Sequence, residues 1–198
     1  MVVLGITGSI GMGKTTISRI FQEENIPVFC ADVAVHDLYK EKKIIDFIKI
    51  FFPTAVCEGV INRKVLASLV FENDKGEENL RKIEKIIHPL IRKKEQKFIS
   101  TKKQENYKLI ALDIPLLFET KAEKLCDKIL VVTAPFDLQK KRVLQRGQTE
   151  KSFLQRLQQQ LSDEEKKRRA DYIIDTSHDL EHTKKQVKNI IQMLTQSK

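Results

Sequence analysis

Apolar residues in this chain follow two alternating rhythms. Short unbroken runs (Val2-Val3-Leu4-Gly5-Ile6-Thr7, Pro27 to Ala31, Leu109 to Leu112, Ile129 to Val132 and Tyr172 to Ile174) read as buried strands. Between them, apolar residues recur at helical spacing, as in Ile17, Ile20 and Phe21, which share one face at i, i+3 and i+4. Strands alternating with helices predict an α/β fold with a mostly parallel sheet of five strands. The second run ends at Asp32 and the third at Asp113. A parallel sheet binds its ligands at the carboxyl ends of its strands, near a switch in strand order. Both carboxylates and the glycine-rich segment after Thr7 are expected at that edge.

Residues 33–104 interrupt the alternation and read as almost wholly helical. Ile44, Ile45, Phe47, Ile48 and Phe51 make one apolar helix that Pro53 terminates. Glu58-Gly59 is a turn, and Asn62 is placed to N-cap a helix from Arg63 to Phe71, with Leu66, Leu69 and Val70 inward. Leu80, Ile83 and Ile87 continue at helical spacing to His88-Pro89, where the proline is expected to reset the chain. The predicted organisation is a core of residues 1–32 and 105–198, an inserted helical subdomain over 33–104, and a lid over about 147–168.

Composition narrows the class. A length of 198 residues with 41% hydrophobic content suits one globular domain carrying an insertion. No apolar run reaches membrane-spanning length, and the N-terminal run is a core strand rather than an export signal, so a cytoplasmic protein is expected. Cys30, Cys57 and Cys126 lack the spacing of a zinc site or a disulfide framework. The net charge of +9 suggests an anionic partner, but its location disfavours nucleic acid. Residues 136–169 hold ten Lys/Arg and five Asp/Glu with few aromatic residues for base stacking, a surplus that a basic lid over a polyphosphate explains.

The most specific pattern is Gly8-Ser9-Ile10-Gly11-Met12-Gly13-Lys14-Thr15 between the first strand and first helix. It is a P-loop: backbone N–H groups and the positive end of the helix dipole face one anion. Lys14 reaches the β- and γ-phosphates, and the Thr15 hydroxyl is a Mg²⁺ ligand. Asp32 reads either as a carboxylate orienting an attacking hydroxyl or as a helix cap. Asp113 reads as a metal-side carboxylate acting through water, or as a turn cap. Arg142 and Arg146 share a helix face, either to stack on a purine and reach phosphate or as solvated cations. Arg156 and Lys166 flank Gln160 in a charged helix-turn-helix, a mobile lid or a surface hairpin. His36, His178 and His182 read as surface residues.

Taken together, these residues resemble the dephospho-CoA kinase family almost end to end. The resemblance rests on Leu4 through Thr15, Ala31-Asp32, Asn62-Arg63 with Leu66 and Phe71, and His88-Pro89. It rests further on Asp113-Ile114-Pro115-Leu116-Leu117-Phe118-Glu119, Arg156 with Gln160, Glu164-Glu165-Lys166, and Ala170 through Asp175. The resemblance implies ATP-dependent phosphorylation of the ribose 3′-hydroxyl of dephospho-CoA, the last step of coenzyme A synthesis. It implies a P-loop kinase-type sheet flanked by helices, with a helical substrate domain and a lid. By similarity, Asp32 is the catalytic carboxylate together with Lys14. ATP falls to Gly8, Gly11, Met12, Gly13, Lys14, Thr15, Thr16, Arg142 and Arg146. Dephospho-CoA falls to Asp32, Arg63, His88, Leu116 and Glu119, the lid to Arg156 and Lys166, and Mg²⁺ to Thr15 and Asp113. ATP and dephospho-CoA are the implied partners, with no nucleic acid, membrane or obligate protein partner. The chain departs from the family pattern at Cys30, where another Asp is frequent, and at Thr176-Ser177 after the last strand. A nucleoside monophosphate kinase would need arginines rather than a carboxylate at position 32. A nucleotide switch or nucleic-acid-binding protein would need no Asp32 at all.

Overall fold

The structure is a computed structural model that describes residues 1–71 and 76–196. Within them, strands β1 (Val2–Thr7), β2 (Val28–Cys30), β5 (Leu109–Asp113), β6 (Lys128–Thr133) and β7 (Tyr172–Asp175) form a parallel sheet in the order β2-β5-β1-β6-β7. Strands β3 (Val56–Cys57) and β4 (Val60–Ile61) pair antiparallel. The helices are α1 (Lys14–Glu23), α2 (Ala31–Leu38), α3 (Lys42–Phe51), α4 (Arg63–Phe71), α5 (Gly76–Gln104), α6 (Phe136–Gln145), α7 (Glu150–Gln158), α8 (Asp163–Arg168) and α9 (Leu180–Gln196). The chain divides into two compact units, Met1–Cys30 with Lys97–Lys198, and Ala31–Gln96.

In the first unit the sheet runs outward from β1 to β2, returns to β5 beside β1, then continues to β6 and β7 on the other side. The switch in strand order therefore falls at the carboxyl end of β1, where open α/β sheets bind ligands. β1, β5 and most of β6 are buried, which is why they read as continuous apolar runs instead of alternating ones. Ile17, Ile20 and Phe21 of α1 and Val187, Ile190 and Leu194 of α9 pack with Leu4, Ile6, Leu130 and Val132 into one core. At about 1.5–3 kcal/mol for each large apolar side chain removed from water, this cluster is the main source of the unit's stability.

The second unit is helical with one addition the sequence pattern did not predict, the β3–β4 hairpin. Its turn is Glu58-Gly59, both at positive φ, a geometry favoured at two-residue hairpin turns because it matches strand twist. Asn62 caps α4 as the pattern indicated, its Oδ1 accepting the Lys64 and Val65 N–H groups at 3.1 and 3.3 Å. Leu66 and Val70 are buried. The side chain of Phe71 lies outside the described residues.

Two expectations need correction. α5 runs unbroken from Gly76 to Gln104 through Pro89, where the sequence suggested a stop. A proline inside a helix removes one hydrogen bond and costs about 3 kcal/mol. The buried Ile83, Ile87 and Ile91 continue the same packed stripe across it and offset that loss. β2 ends at Cys30, so Asp32 lies in the first turn of α2 and not at a strand end. The division between the two units falls after Gln96, inside α5, which runs on to Gln104.

Candidate active site

The glycine-rich loop between β1 and α1 is built by backbone geometry that other residues cannot adopt. Gly13 lies at φ 95° and caps α1 with no side-chain hydrogen bond, and no acidic residue occupies the helix's first turn. Those leading N–H groups thus lack the side-chain oxygen that ordinarily satisfies a helix start. Such a start suits an anion, which the helix dipole favours. Gly11, at φ 81°, has no room for a Cβ, which would sit 2.8 Å from the Gln139 carbonyl oxygen and 2.8 Å from Val143 Cγ2 of α6.

The loop is held from several directions. The Gln139 side-chain amide donates to the Ile10 carbonyl at 2.6 Å, and the Ile10 N–H donates to Gln160 Oε1 at 3.2 Å. The Thr176 hydroxyl donates to the Met12 carbonyl at 2.8 Å. Each contact comes from a different element, which makes the cradle rigid before any ligand arrives.

On the neighbouring strand, Asp113 aligns with Ile6 of β1 and with Cys30 of β2 across the sheet. It is buried, and its Oδ2 accepts from the Ser18 hydroxyl of α1 at 2.6 Å. A carboxylate so placed, with the exposed Thr15 hydroxyl at the start of α1, offers oxygen ligands of the hard kind that Mg²⁺ takes. Ser18 went unnoticed in the sequence, although it lies four residues after Lys14 on the same helix.

Next to the loop lies a cavity of about 360 Å³ lined by Gly13, Thr16, Arg142, Arg146, Thr176 and His178, among others. Arg142 is fixed by two bonds, Nη1 to Thr176 Oγ1 at 2.8 Å and Nη2 to the Thr176 carbonyl at 2.7 Å. Burial, and then the nearby Arg146 charge, draw the Arg142 guanidinium down from its ordinary value, with Asp175 opposing them. It stays cationic, as arginines do. Burial pushes the Asp175 carboxyl up, but hydrogen bonds from Ser177 and the charges of His178 and Lys167 outweigh it and hold the group below its ordinary value. A planar cation locked flat beside a phosphate cradle is suited to stacking on a purine. His178, read from sequence as a bland surface residue, lines this cavity.

Of the positions assigned to the lid, Arg156 on α7 is exposed, whereas Lys166 on α8 is fully buried, at 0% exposure. A solvated hairpin does not accommodate Lys166. Glu119 is engaged as well, its Oε1 accepting the Leu161 N–H at 2.7 Å and pairing with Lys166 at 3.4 Å. Leu116 is half-buried, and its carbonyl accepts from Thr120.

In the second unit Asp32 and His36 stand four residues apart on α2 and share a face. Both are exposed. Arg63, the first residue of α4, lies with Nη1 3.0 Å from His36 Nδ1. An arginine only donates, so His36 accepts at Nδ1 and carries its proton on Nε2. From sequence His36 reads as a surface residue; its i+4 spacing from Asp32 was the one signal that could have placed it in this group. His88 is exposed on α5, 4.0 Å from Glu84.

The family model CoaE, described as dephospho-CoA kinase, matches residues 2–182. The chain belongs to the dephospho-CoA kinase family. A protein of Bartonella henselae named dephospho-CoA kinase is 45% identical over 195 residues, covering 98% of each chain. The crystal structure of TT1252 from Thermus thermophilus superposes with a TM-score of 0.82 at 33% identity, covering 98% of each chain. The dephospho-CoA kinase from Campylobacter jejuni does so with a TM-score of 0.73 at 29% identity, covering 98% of this chain and 96% of that one. Membership in the dephospho-CoA kinase family makes this chain a phosphotransferase with a P-loop kinase fold, as the resemblance implied. No helix among the described residues is long and apolar enough to cross a membrane.

Proposed function

We propose that this chain transfers the γ-phosphoryl group of ATP to the ribose 3′-hydroxyl of dephospho-CoA, giving coenzyme A and ADP in the cytoplasm. The observation that carries this reading is the uncapped start of α1, with Gly13 in the left-handed conformation and Lys14 behind it, beside a cavity containing a fixed arginine. That pairing suits a nucleoside triphosphate: backbone amides and Lys14 for the phosphates, Arg142 for the base, Arg146 for a phosphate oxygen. Met12, Thr15 and Thr16 complete the cradle. Phosphoryl transfer asks the protein for positioning and charge stabilisation, not covalent chemistry, and these groups supply both.

Asp113, through water, and Thr15 would hold Mg²⁺, which would supply positive charge to offset that of the phosphates. The acceptor side rests on Asp32, whose carboxylate orients the attacking hydroxyl and takes its proton late in transfer. Arg63 and His88, with Leu116, serve the dephospho-CoA side, and Ala31–Gln96 acts as its binding subdomain. Arg156 and the α7–α8 segment cover the triphosphate.

A coupled ADP-release assay with dephospho-CoA, AMP and adenosine as acceptors tests the reading. Dephospho-CoA is expected to be the preferred acceptor, and preference for AMP would overturn the assignment in favour of a phosphate acceptor. Asp32→Ala is expected to lower kcat by about 10²–10⁴ while preserving the circular dichroism spectrum. Near-normal turnover in that variant would remove Asp32 from the mechanism.

A further inference from the structure

The buried ammonium group of Lys166 has no role in the mechanism above, yet it touches the phosphate loop. Its Nζ donates to Ser9 Oγ at 3.3 Å and lies 3.4 Å from Glu119 Oε1. Burying a cation is expensive unless its partners satisfy it, so a fully buried lysine calls for a reason. Ser9 does not depend on Lys166 alone. Its hydroxyl donates to Asp163 Oδ1 at 3.2 Å, while Asp163 Oδ2 accepts from Thr133 at the end of β6 at 2.9 Å. One residue further along the loop, the Ile10 N–H is held by Gln160. Gln160, Asp163 and Lys166 thus all come from one short stretch, the α7–α8 connection and α8, and grip two consecutive loop residues. Glu119 fixes that stretch in turn, through the Leu161 N–H as well as through Lys166.

We propose that Lys166 is a positioning residue for ATP, holding Ser9 and with it the leading half of the phosphate loop in the conformation that receives the triphosphate. Glu119 is its counter-charge, not a substrate contact. The geometry favours this over a sweeping lid arginine-style role because Nζ points to the loop's own hydroxyl, not to solvent. A loop preorganised by fixed partners binds the polyphosphate without reordering at the moment of binding. Removing the grip therefore weakens ATP binding and leaves the acceptor side untouched. This inference rests on the proposed use of the loop for ATP.

Four variants test it, with wild-type turnover of dephospho-CoA as the first control. If the wild-type enzyme fails to phosphorylate dephospho-CoA, the proposed function fails, whatever the variants do. Lys166→Met leaves Glu119 without its counter-charge and loses stability, so it is compared with Lys166→Met/Glu119→Gln, which removes both charges. The expected result is a rise of about 10-fold or more in KM for ATP in both, with KM for dephospho-CoA within about twofold of wild type. Ser9→Ala, which removes the hydroxyl without touching the ion pair, is expected to reproduce that split. Adding Lys166→Met to Ser9→Ala is then expected to cause little further change in KM for ATP. The inference is overturned if the charge-neutral double variant restores KM for ATP to the wild-type value. That outcome makes Lys166 a buried ion-pair partner and nothing more. It is equally overturned if Ser9→Ala binds ATP normally, or if KM for both substrates rises together.

Discussion

The hydroxyl of Thr176 joins three parts of the first unit, and its removal gives the sharpest test of the nucleotide site. It has one proton, donated to the Met12 carbonyl at 2.8 Å, and it accepts from Arg142 Nη1 at 2.8 Å. The Thr133 carbonyl lies farther away, at 3.3 Å, and already accepts the Thr176 N–H at 2.9 Å. Thr176→Val keeps the shape and deletes both bonds. Leaving the buried Met12 carbonyl without its donor costs about 1–3 kcal/mol. The Arg142 bond adds less than its charged character suggests, because Nη2 remains on the Thr176 carbonyl and the guanidinium retains access to water. The net loss is about 2 kcal/mol, which for a chain of this size lowers Tm by about 4–8 °C. Calorimetry measures the first effect. Titration with ATP and with inorganic tripolyphosphate measures the second, since Arg142 is expected to serve the base and Met12 the phosphate loop. ATP affinity falls more than tripolyphosphate affinity, and Thr176→Ser restores both. An unchanged Tm with unchanged ATP affinity would refute the claim that this hydroxyl organises the site.

Two further outcomes follow from local physics. Gly11→Ala forces a Cβ to 2.8 Å from the Gln139 carbonyl at a φ of 81°, so thermal unfolding should show destabilisation of about 3 kcal/mol or more, and wild-type stability would refute the packing argument. Burial raises the Glu95 carboxyl above its ordinary value, although Arg92, 3.0 Å away, opposes the shift. A carboxyl raised in the folded state binds protons more tightly there, so stability is greatest below the unfolded value near 4.5 and declines as pH rises toward the folded value. Glu95→Gln lacks that decline. Its Tm relative to wild type should therefore climb between about pH 4 and pH 7, and a constant or falling difference would contradict the sign.

Much of the first unit could be read from the chain before any coordinates. β1 matched Val2–Thr7 residue for residue, and α1 carries the expected face of Ile17, Ile20 and Phe21 although it begins at Lys14, inside the glycine-rich pattern, because a buried parallel strand and an amphipathic helix are local patterns. Asn62 announced its helix for the same reason. Pro89 misled because its penalty is local while the packed stripe through Ile83, Ile87 and Ile91 is not. The β3–β4 hairpin was hidden because two-residue strands carry too little alternation to register.

The chemistry divides along the same line. Local order settled what needs only neighbours in the chain: a strand, three glycines, a lysine and a helix face make an anion cradle wherever they occur in that order, and the family resemblance followed from such runs. Tertiary structure decided which polar atoms meet. Ser18 on Asp113, Thr176 on Met12 and Arg142, and Lys166 on Ser9 join residues separated by 95, 164, 34 and 157 positions, respectively. Nothing in a periodic pattern encodes such pairs, because a hydrogen bond depends on where two side chains arrive after the sheet has ordered its strands. That is why a lysine in a charged run, exposed by every local indication, is buried against the phosphate loop.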